Sequence, residues 1–158
     1  MSPLLLIDID GPLNPYAASW FRTRRPADGF DFHDLTPQGE RAYRVALNPE
    51  HGAWLRELSA AYELALASTW QHEANRLVAP LLGLPGDLPV VPLRTPPGWT
   101  ALRSWKTEQI IDWVGLRPFA WFDDEINRQT RDWLAHAGLG PHLALRIEPH
   151  IGLRRGDI

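Results

Sequence analysis

The stretch LLLIDIDGPLNP, from Leu4 to Pro15, decides the fold. Its short run of Leu and Ile, Leu4–Ile9, is typical of a strand that is buried on both faces, as in parallel sheets. Two acids and a glycine follow, so this strand carries carboxylates to its C-terminal end. The run is too short for a membrane span and lacks the basic flank of a signal peptide.

Strand-like and helix-like segments alternate along the rest of the chain. Between the first strand and the first helix lies a segment rich in Pro, Gly, Arg and aromatic residues, Pro12–Pro37, which we call the flap; alternation in Gly29–Leu35 predicts a small hairpin there. The predicted strands are Leu4–Ile9, Glu63–Ser68, Leu88–Leu93, Phe119–Phe122 and Leu143–Ile147. The first predicted helix begins at Pro49, after Asn48. Three further helices are predicted over His72–Leu82, Ser104–Val114 and Ile126–Ala137. This order predicts an α/β fold, a Rossmann-like doubly wound parallel sheet of about five strands in a single domain, residues 1–158.

The composition narrows the function classes. A chain of 158 residues with 44% hydrophobic and 22% charged residues is that of one globular domain, not of a disordered or fibrous protein. With a formal net charge of −3, the chain has no overall positive field that would attract a polyanion. Without cysteine, a disulfide framework, a cysteine zinc site and a thiol nucleophile are excluded. We expect a cytoplasmic protein without a membrane partner.

Polar side chains close the predicted strands. Ligands of open parallel sheets bind beyond the carboxyl ends of the strands, so the residues at these ends are the candidate site. They are Asp8, Asp10, Ser68, Thr69, Asp123 and Asp124, joined by Lys106 at the start of a helix. Four carboxylates in one crevice repel each other unless a divalent cation lies among them, and an all-oxygen ligand set favours Mg²⁺.

The order of these residues resembles that of the haloacid dehalogenase (HAD) superfamily of phosphatases. LLLIDIDGPLNP is similar to the first, DxDG-type motif of the superfamily. ELALAST (Glu63–Thr69) resembles the second motif, Lys106 the third and FAWFDDE (Phe119–Glu125) the acidic fourth. In response-regulator receivers, by contrast, the acid pair comes first and the lysine last. The segments DGPLNPY, STWQHEANRLVAPLLGLP and RPFAWFDDE also resemble a group of small actinobacterial HAD-domain proteins.

The resemblance implies a Mg²⁺-dependent phosphomonoesterase that works through an aspartyl-phosphate. Asp8 is implied as the nucleophile and Asp10 as the general acid and base, a group that the family's dehalogenases lack. Asp8, the backbone carbonyl of Asp10 and one of Asp123 and Asp124 are implied to bind Mg²⁺. Which member of the last pair contacts the metal stays open.

The resemblance also implies residues that hold the phosphate. Ser68 is implied to donate to a phosphoryl oxygen, with Thr69 as the alternative, and Lys106 to hold Asp8 and balance the charge of the phosphate. We assign Gly11 of the first motif to substrate binding, and also Trp70, because it lies beside a strand end. Trp99 is a further candidate on the same ground.

The intervals between the motifs predict an open site. Neither the interval from Asp10 to Ser68 nor that from Ser68 to Lys106 is long enough for a full cap domain. Within the superfamily, such a site implies a large substrate, such as a protein or nucleic-acid end, or a partner that supplies the lid.

A basic and aromatic cluster in the flap bears on the substrate. Three arginines lie close in sequence to two aromatic residues: Arg22, Arg24 and Arg25 to Trp20 and Phe21. Such a cluster can bind a second phosphate and stack on a base. We therefore expect a phosphorylated partner, a small molecule or a nucleic-acid end, with a nucleotide or polynucleotide end preferred. The alternative is a non-catalytic or partner-dependent module that binds phosphate.

Overall fold

The computed structural model describes residues 1–95 and 105–158. The strands are β1 (Leu4–Ile7), β2 (Asp31–Leu35), β3 (Tyr43–Leu47), β4 (Glu63–Leu66), β5 (Phe119–Asp123) and β6 (His142–Arg146). The α-helices are α1 (Pro49–Leu58), α2 (Trp105–Val114) and α3 (Arg128–His136). One π-helical segment, Ala74–Val78, and two 3₁₀ segments, Ala79–Leu82 and Arg155–Asp157, complete the described elements.

A parallel sheet with strand order β4-β1-β5-β6 forms the centre of the fold. In β1, Leu6 pairs with Ala65 of β4 on one side and with Trp121 of β5 on the other. Leu4 and Leu6 belong to one hydrophobic core, whereas Leu5 belongs to a second core. Because side chains alternate between the faces of a strand, the sheet is covered on both faces. The predicted doubly wound α/β fold is confirmed.

The segment Leu88–Leu93 is not a regular strand. It meets the sheet through a single bridge between Val90 and Leu66 of β4. Pro89 and Pro92 have no N–H to donate to a ladder, which explains why the pairing stops at one bridge. In the described residues the parallel sheet therefore has four strands instead of about five.

The predicted helix over His72–Leu82 has a different geometry from the one expected. The chain forms the π-helical segment Ala74–Val78 and then the 3₁₀ segment Ala79–Leu82. Pro80 stands at the start of the second segment and lacks the N–H that a continuous α-helix would use. The apolar spacing is kept, since both segments pack into the core through buried side chains.

A two-stranded antiparallel hairpin stands beside the main sheet. The alternating flap segment does form a strand, β2, but its partner β3 lies beyond the flap. Asn14 anchors the hairpin, because its Oδ1 accepts a hydrogen bond of 2.9 Å from the backbone N–H of Ala46 in β3. The hairpin is thereby fixed next to the residues that follow β1.

Side-chain caps define where the helices begin. Asn48 caps α1 by accepting a hydrogen bond from the N–H of Glu50, with Pro49 at the first position, as predicted. Asn127 and Thr130 form a reciprocal capping box at α3. Within residues 1–95 and 105–158, no helix has the length and apolar character needed to cross a membrane.

The first turn of α1 buries a histidine, which predicts a loss of stability in acid. Burial lowers the pKa of His51 from 6.5 to about 4, against a smaller opposing effect of its hydrogen bond with the backbone of Leu153. The unfolded chain therefore binds the proton at higher pH than the folded protein does. The contribution of His51 is complete above about pH 6.5, and about 3 kcal/mol is lost as the pH falls to about 4.

Urea unfolding at a series of pH values checks this prediction. Between pH 6.5 and 4 the free energy of unfolding should fall less in His51→Gln than in the wild type, and the difference should be most of the about 3 kcal/mol assigned to His51. The exposed His150 supplies the control, His150→Gln, which should keep the wild-type slope. Equal slopes in all three proteins would contradict the prediction.

Candidate active site

The carboxyl ends of β1, β4 and β5 meet at one edge of the sheet. Asp8 directly follows β1, Ser68 lies two residues beyond the end of β4, and Asp123 is the last residue of β5. The N–H of Asp8 donates a hydrogen bond of 3.0 Å to the carbonyl of Phe122, which fixes Asp8 beside β5. Since all three strands run in the same direction, the candidate residues predicted at strand ends are brought together.

Lys106 lies buried between two of these carboxylates. From the first turn of α2, its Nζ donates to Asp8 Oδ2 at 2.6 Å and to Asp123 Oδ2 at 2.8 Å. Burial alone would lower the pKa of Lys106, but Asp8, Asp123 and Glu125 raise it above its usual value. Burial and the charge of Asp8 raise the pKa of Asp123. Lys106 is therefore a fixed positive charge at this site.

Three carboxylates form a cluster that fits a divalent cation. Asp8, Asp123 and Asp124 each offer one oxygen, and these oxygens lie within 4.8 Å of one another. Octahedral Mg²⁺ has bonds of about 2.1 Å, so its ligand oxygens lie about 3 to 4 Å apart. When all three are ionised, their negative charge exceeds that of the one ammonium, Lys106. The all-oxygen donor set and its compactness therefore suit Mg²⁺, as the sequence predicts.

Asp10 is held by two side-chain donors. Asn14 Nδ2 donates to its Oδ1 at 2.7 Å, and the indole Nε1 of Trp70 donates to its Oδ2 at 2.9 Å. Burial, followed by the charge of Asp8, raises the pKa of Asp10, and the two donors partly oppose this effect. The Asp10 carboxyl thus has one orientation and an increased affinity for a proton, both of which suit an acid that also acts as a base.

Gly11 makes room for Asp124. A Cβ on Gly11 would lie 2.6 Å from Cγ of Asp124, and the backbone there has φ +98°, which L residues rarely adopt. Burial raises the pKa of Asp124 to about 6, while a hydrogen bond of 2.9 Å from the hydroxyl of Tyr16 opposes this effect. The contact that the structure gives Gly11 is therefore with a carboxylate of the cluster.

Substitution of Gly11 is expected to weaken metal binding. In Gly11→Ala the new methyl group displaces the Asp124 carboxylate, and displaced metal-site groups typically cost 10- to 100-fold in affinity, so we expect a loss of about 10-fold or more. Gly138→Ala is the matched control, since Gly138 also has a positive φ, +65°, and a Cβ there would meet nothing within 4 Å. Calorimetric titration with Mg²⁺ checks the prediction, and equal affinities in the two variants would contradict it.

A cavity of about 600 Å³ opens over these residues. Besides the carboxylates and Lys106, its walls carry aromatic rings from three parts of the chain: Phe21 in the flap, Tyr43 in β3, and Trp70 and Trp105 next to the motif residues. Sequence reasoning missed several residues that line the cavity or hold its acids: Asn14, Tyr16, Tyr43, Arg44, Trp105, Trp121 and Glu125. Three of them lie inside the quoted motifs, Asn14 in the first and Trp121 and Glu125 in the fourth, and only there did the sequence carry a local signal.

The predicted substrate residues have different positions relative to the cavity. Thr69 and Trp70 line it. Ser68 is buried, and its Oγ accepts a long hydrogen bond of 3.4 Å from the N–H of Trp70. The three flap arginines are exposed and are not among the residues that line the cavity: Arg22, Arg24 and Arg25. Trp99 lies outside the described residues.

A comparison with protein families decides the affiliation of the chain. The family described as HAD domain in Swiss Army Knife RNA repair proteins matches residues 4–158. The chain belongs to this family. The HAD domain thus covers all four motifs as well as the hairpin and the C-terminal strand β6. Searches of curated proteins and of solved structures found no match.

Membership explains the order of the site residues in this HAD domain. The site residues occur in the order of the four HAD motifs: the acids after β1, the hydroxyls after β4, Lys106 on α2 and the acid pair at the end of β5. The expected HAD-like hydrolase family is confirmed; HAD domains usually use Mg²⁺, and the Asp8, Asp123 and Asp124 cluster could hold a metal ion.

Proposed function

We propose that this HAD domain is a Mg²⁺-dependent phosphomonoesterase that acts on the terminal phosphate of an RNA strand through an aspartyl-phosphate. The observation that carries the proposal is the buried contact of Lys106 with Asp8 and Asp123. Asp10 lies two residues after Asp8. A nucleophilic carboxylate, a fixed cation and a second carboxylate for proton transfer are the groups that phosphoryl transfer needs.

Asp8 is the nucleophile in this proposal. One of its oxygens attacks phosphorus, the bond to the leaving oxygen breaks, and the phosphoryl group becomes bound to Asp8. Its Oδ1 accepts a hydrogen bond of 2.8 Å from the N–H of Ile9, and Oδ2 faces Lys106, so the carboxylate is held in one orientation. Lys106 offsets the negative charge that the arriving phosphate brings.

Asp10 moves the proton in both steps. It gives a proton to the leaving oxygen in the first step and accepts one from the attacking water in the second, which releases inorganic phosphate and restores Asp8. The hydroxyls of Ser68 and Thr69 are proposed to donate to the phosphoryl oxygens. Of the two, Thr69 lies on the cavity wall.

Asp8, Asp123 and Asp124 would hold the metal, together with the backbone carbonyl of Asp10. A bound Mg²⁺ supplies positive charge that stabilises the transferring phosphoryl group. Where the three carboxyl groups are ionised, Lys106 offsets one of their charges, and a dication held by the cluster would reduce the remaining repulsion of a phosphate dianion.

Three features favour an RNA end as the substrate. The family is described by its occurrence in RNA repair proteins. The cavity is walled by aromatic rings, on which bases stack, and its volume of about 600 Å³ exceeds what a phosphate alone needs. A strand end can also enter from the open side, because neither interval between the motifs holds a full cap domain.

Phosphate release from oligoribonucleotides with a 5′- or a 3′-terminal phosphate tests the proposal. We expect release with Mg²⁺ and its loss in excess EDTA, because the carboxylate cluster then repels the substrate. Activity should return when Mg²⁺ is restored. Release that persists in EDTA would contradict the metal requirement, and no release from either end by the Mg²⁺-loaded protein would contradict the proposed substrate.

A further inference from the structure

The cavity wall next to Asp10 faces the group that leaves during the reaction. Asp10 protonates the leaving oxygen in the proposed function, so whatever carries that oxygen must lie on the Asp10 side. Two of the residues bound to Asp10, Asn14 and Trp70, connect it to that wall. The cavity residues that Asn14 and Trp70 connect to Asp10 therefore define the subsite for the leaving group.

Asn14 connects Asp10 to the hairpin. Its Nδ2 binds Asp10, and its Oδ1 accepts the hydrogen bond from Ala46 in β3. Tyr43 and Arg44 lie three and two residues before Ala46 in the same strand, and both line the cavity. Asn14 therefore fixes the position of β3, and with it Tyr43 and Arg44, relative to the Asp10 carboxyl.

Tyr43 and Trp70 provide an aromatic surface at this wall. Their ring centroids are 6.2 Å apart at an interplanar angle of 66°. The hydroxyl of Tyr43 donates to Glu40 Oε2 at 2.8 Å, and the guanidinium of Arg41 lies 5.9 Å from the ring centroid. Tyr43 is 38% exposed although three side chains contact it. An exposed but oriented ring is suited to stack on a base.

Arg44 provides a positive charge that is not yet neutralised. Of the two cationic side chains that line the cavity in the part of the chain that the structure describes, Lys106 is bound to Asp8 and Asp123. Arg44 contacts the ring of Phe32 at 4.8 Å and the carbonyl of Thr23 at 3.4 Å, and no carboxylate within residues 1–95 and 105–158 forms an ion pair with it. A guanidinium that a ring and a carbonyl orient, but that has no carboxylate partner among the described residues, is suited to bind a phosphate.

From these contacts we infer that the hairpin wall is a nucleotide subsite, in which Tyr43 and Trp70 contact the terminal base and Arg44 contacts the next phosphate of the strand. This inference rests on the proposed function and deepens it. The preferred substrate is then the end of a strand with an unpaired terminal base and at least one internucleotide phosphate, instead of a mononucleotide or a sugar phosphate.

Three substrates of increasing size test the inference. They are ribose phosphate, a nucleoside monophosphate and a dinucleotide with a terminal phosphate, each in the 5′ and 3′ forms. We expect kcat/KM of the wild type to rise at each step. Tyr43→Ala should reduce the gain from the base by roughly 5- to 150-fold, the range for loss of one base–aromatic stack, whereas Tyr43→Phe should keep it.

Arg44→Ala should reduce the gain from the second phosphate by roughly 10-fold or more and make the activity on the dinucleotide less dependent on salt. The control is Arg155→Ala, because Arg155 pairs with Glu57 and does not line the cavity; it should retain both gains. Gains that stay at the wild-type level in Tyr43→Ala and Arg44→Ala would overturn the inference and leave the proposed function intact.

A binding measurement separates the two proposals. A dinucleoside monophosphate has a base and an internucleotide phosphate but no terminal phosphate, so it cannot be hydrolysed by a phosphomonoesterase. We expect NMR titration to show that it binds the wild type and binds Tyr43→Ala and Arg44→Ala more weakly by similar factors. Weaker binding to these variants without hydrolysis of any substrate would refute only the proposed function. Equal binding by all the proteins, or no binding to the wild type, would overturn the subsite.

Discussion

Replacement of Asp8 by Asn is expected to lower the rate of phosphate release by about 10⁴-fold or more. The neutral amide cannot form the acyl-phosphate bond, and it also removes one of the three carboxylates that pair with Lys106. The fold should persist, because loss of the Asp8 charge relieves its repulsion of the buried Asp123. Phosphate release from a terminally phosphorylated oligoribonucleotide gives the rate.

Asp87→Asn provides the control for this substitution. Asp87 is exposed and does not line the cavity, so the same chemical change there should leave the rate unaltered. Thermal unfolding of both variants establishes that each is folded. A folded Asp8→Asn protein with the wild-type rate would refute the nucleophile assignment and with it the covalent mechanism.

Replacement of Asp10 by Asn is expected to lower turnover of an RNA end by roughly 10²- to 10⁴-fold, the usual contribution of general acid and base catalysis. The amide can still accept from Asn14 or Trp70, so the local structure should be kept. It can neither protonate the leaving oxygen nor deprotonate the attacking water.

The choice of leaving group separates the two roles of Asp10. An aryl phosphate needs little help from an acid in the first step but still needs a base in the second. In Asp10→Asn we therefore expect rapid-quench measurements to show a burst of aryl alcohol close to the enzyme concentration, followed by slow turnover. A single slow phase without a burst would show that Asp10 has no separate role in the second step.

The motif residues were predictable because their signal is local. A short apolar run that ends in acids identifies both the strand and its functional end, and parallel strands bring such ends together. Asp8, Asp10 and Asp123 were found in this way, and Lys106 was added from the start of the helix before β5 and from its resemblance to the third motif; the structure brings all four together at one edge of the sheet. The same logic left Ser68 and Thr69 unresolved, because adjacent side chains of an extended segment point in opposite directions.

The hairpin was only half predictable. β2 contains two acids, Asp31 and Asp34, and its partner β3 lies across a turn, so pairing depends on contacts that neither segment shows alone. Tyr43 and Arg44 were consequently missed, although they line the cavity. The sequence directed attention to the more conspicuous arginines of the flap, which remain exposed.

Two errors in secondary structure have the same cause, the missing N–H of proline. The apolar run Leu88–Leu93 has the composition of a strand, but Pro89 and Pro92 restrict it to one bridge. The periodic run His72–Leu82 has helical spacing, but Pro80 coincides with the change from π-helical to 3₁₀ geometry. In both cases the burial pattern was right and the hydrogen bonding was not.

Detection of a phosphoryl group on Asp8 tests the central claim most directly. Asp10→Asn, incubated with Mg²⁺ and a labelled aryl phosphate and quenched in acid, is expected to carry label on the peptide that contains Asp8. Hydroxylamine should release this label, as it does from acyl phosphates, and Asp8→Asn should carry none. Turnover of the aryl phosphate by the wild type with no label on Asp8 in Asp10→Asn, or with equal labelling of Asp8→Asn, would contradict the covalent mechanism.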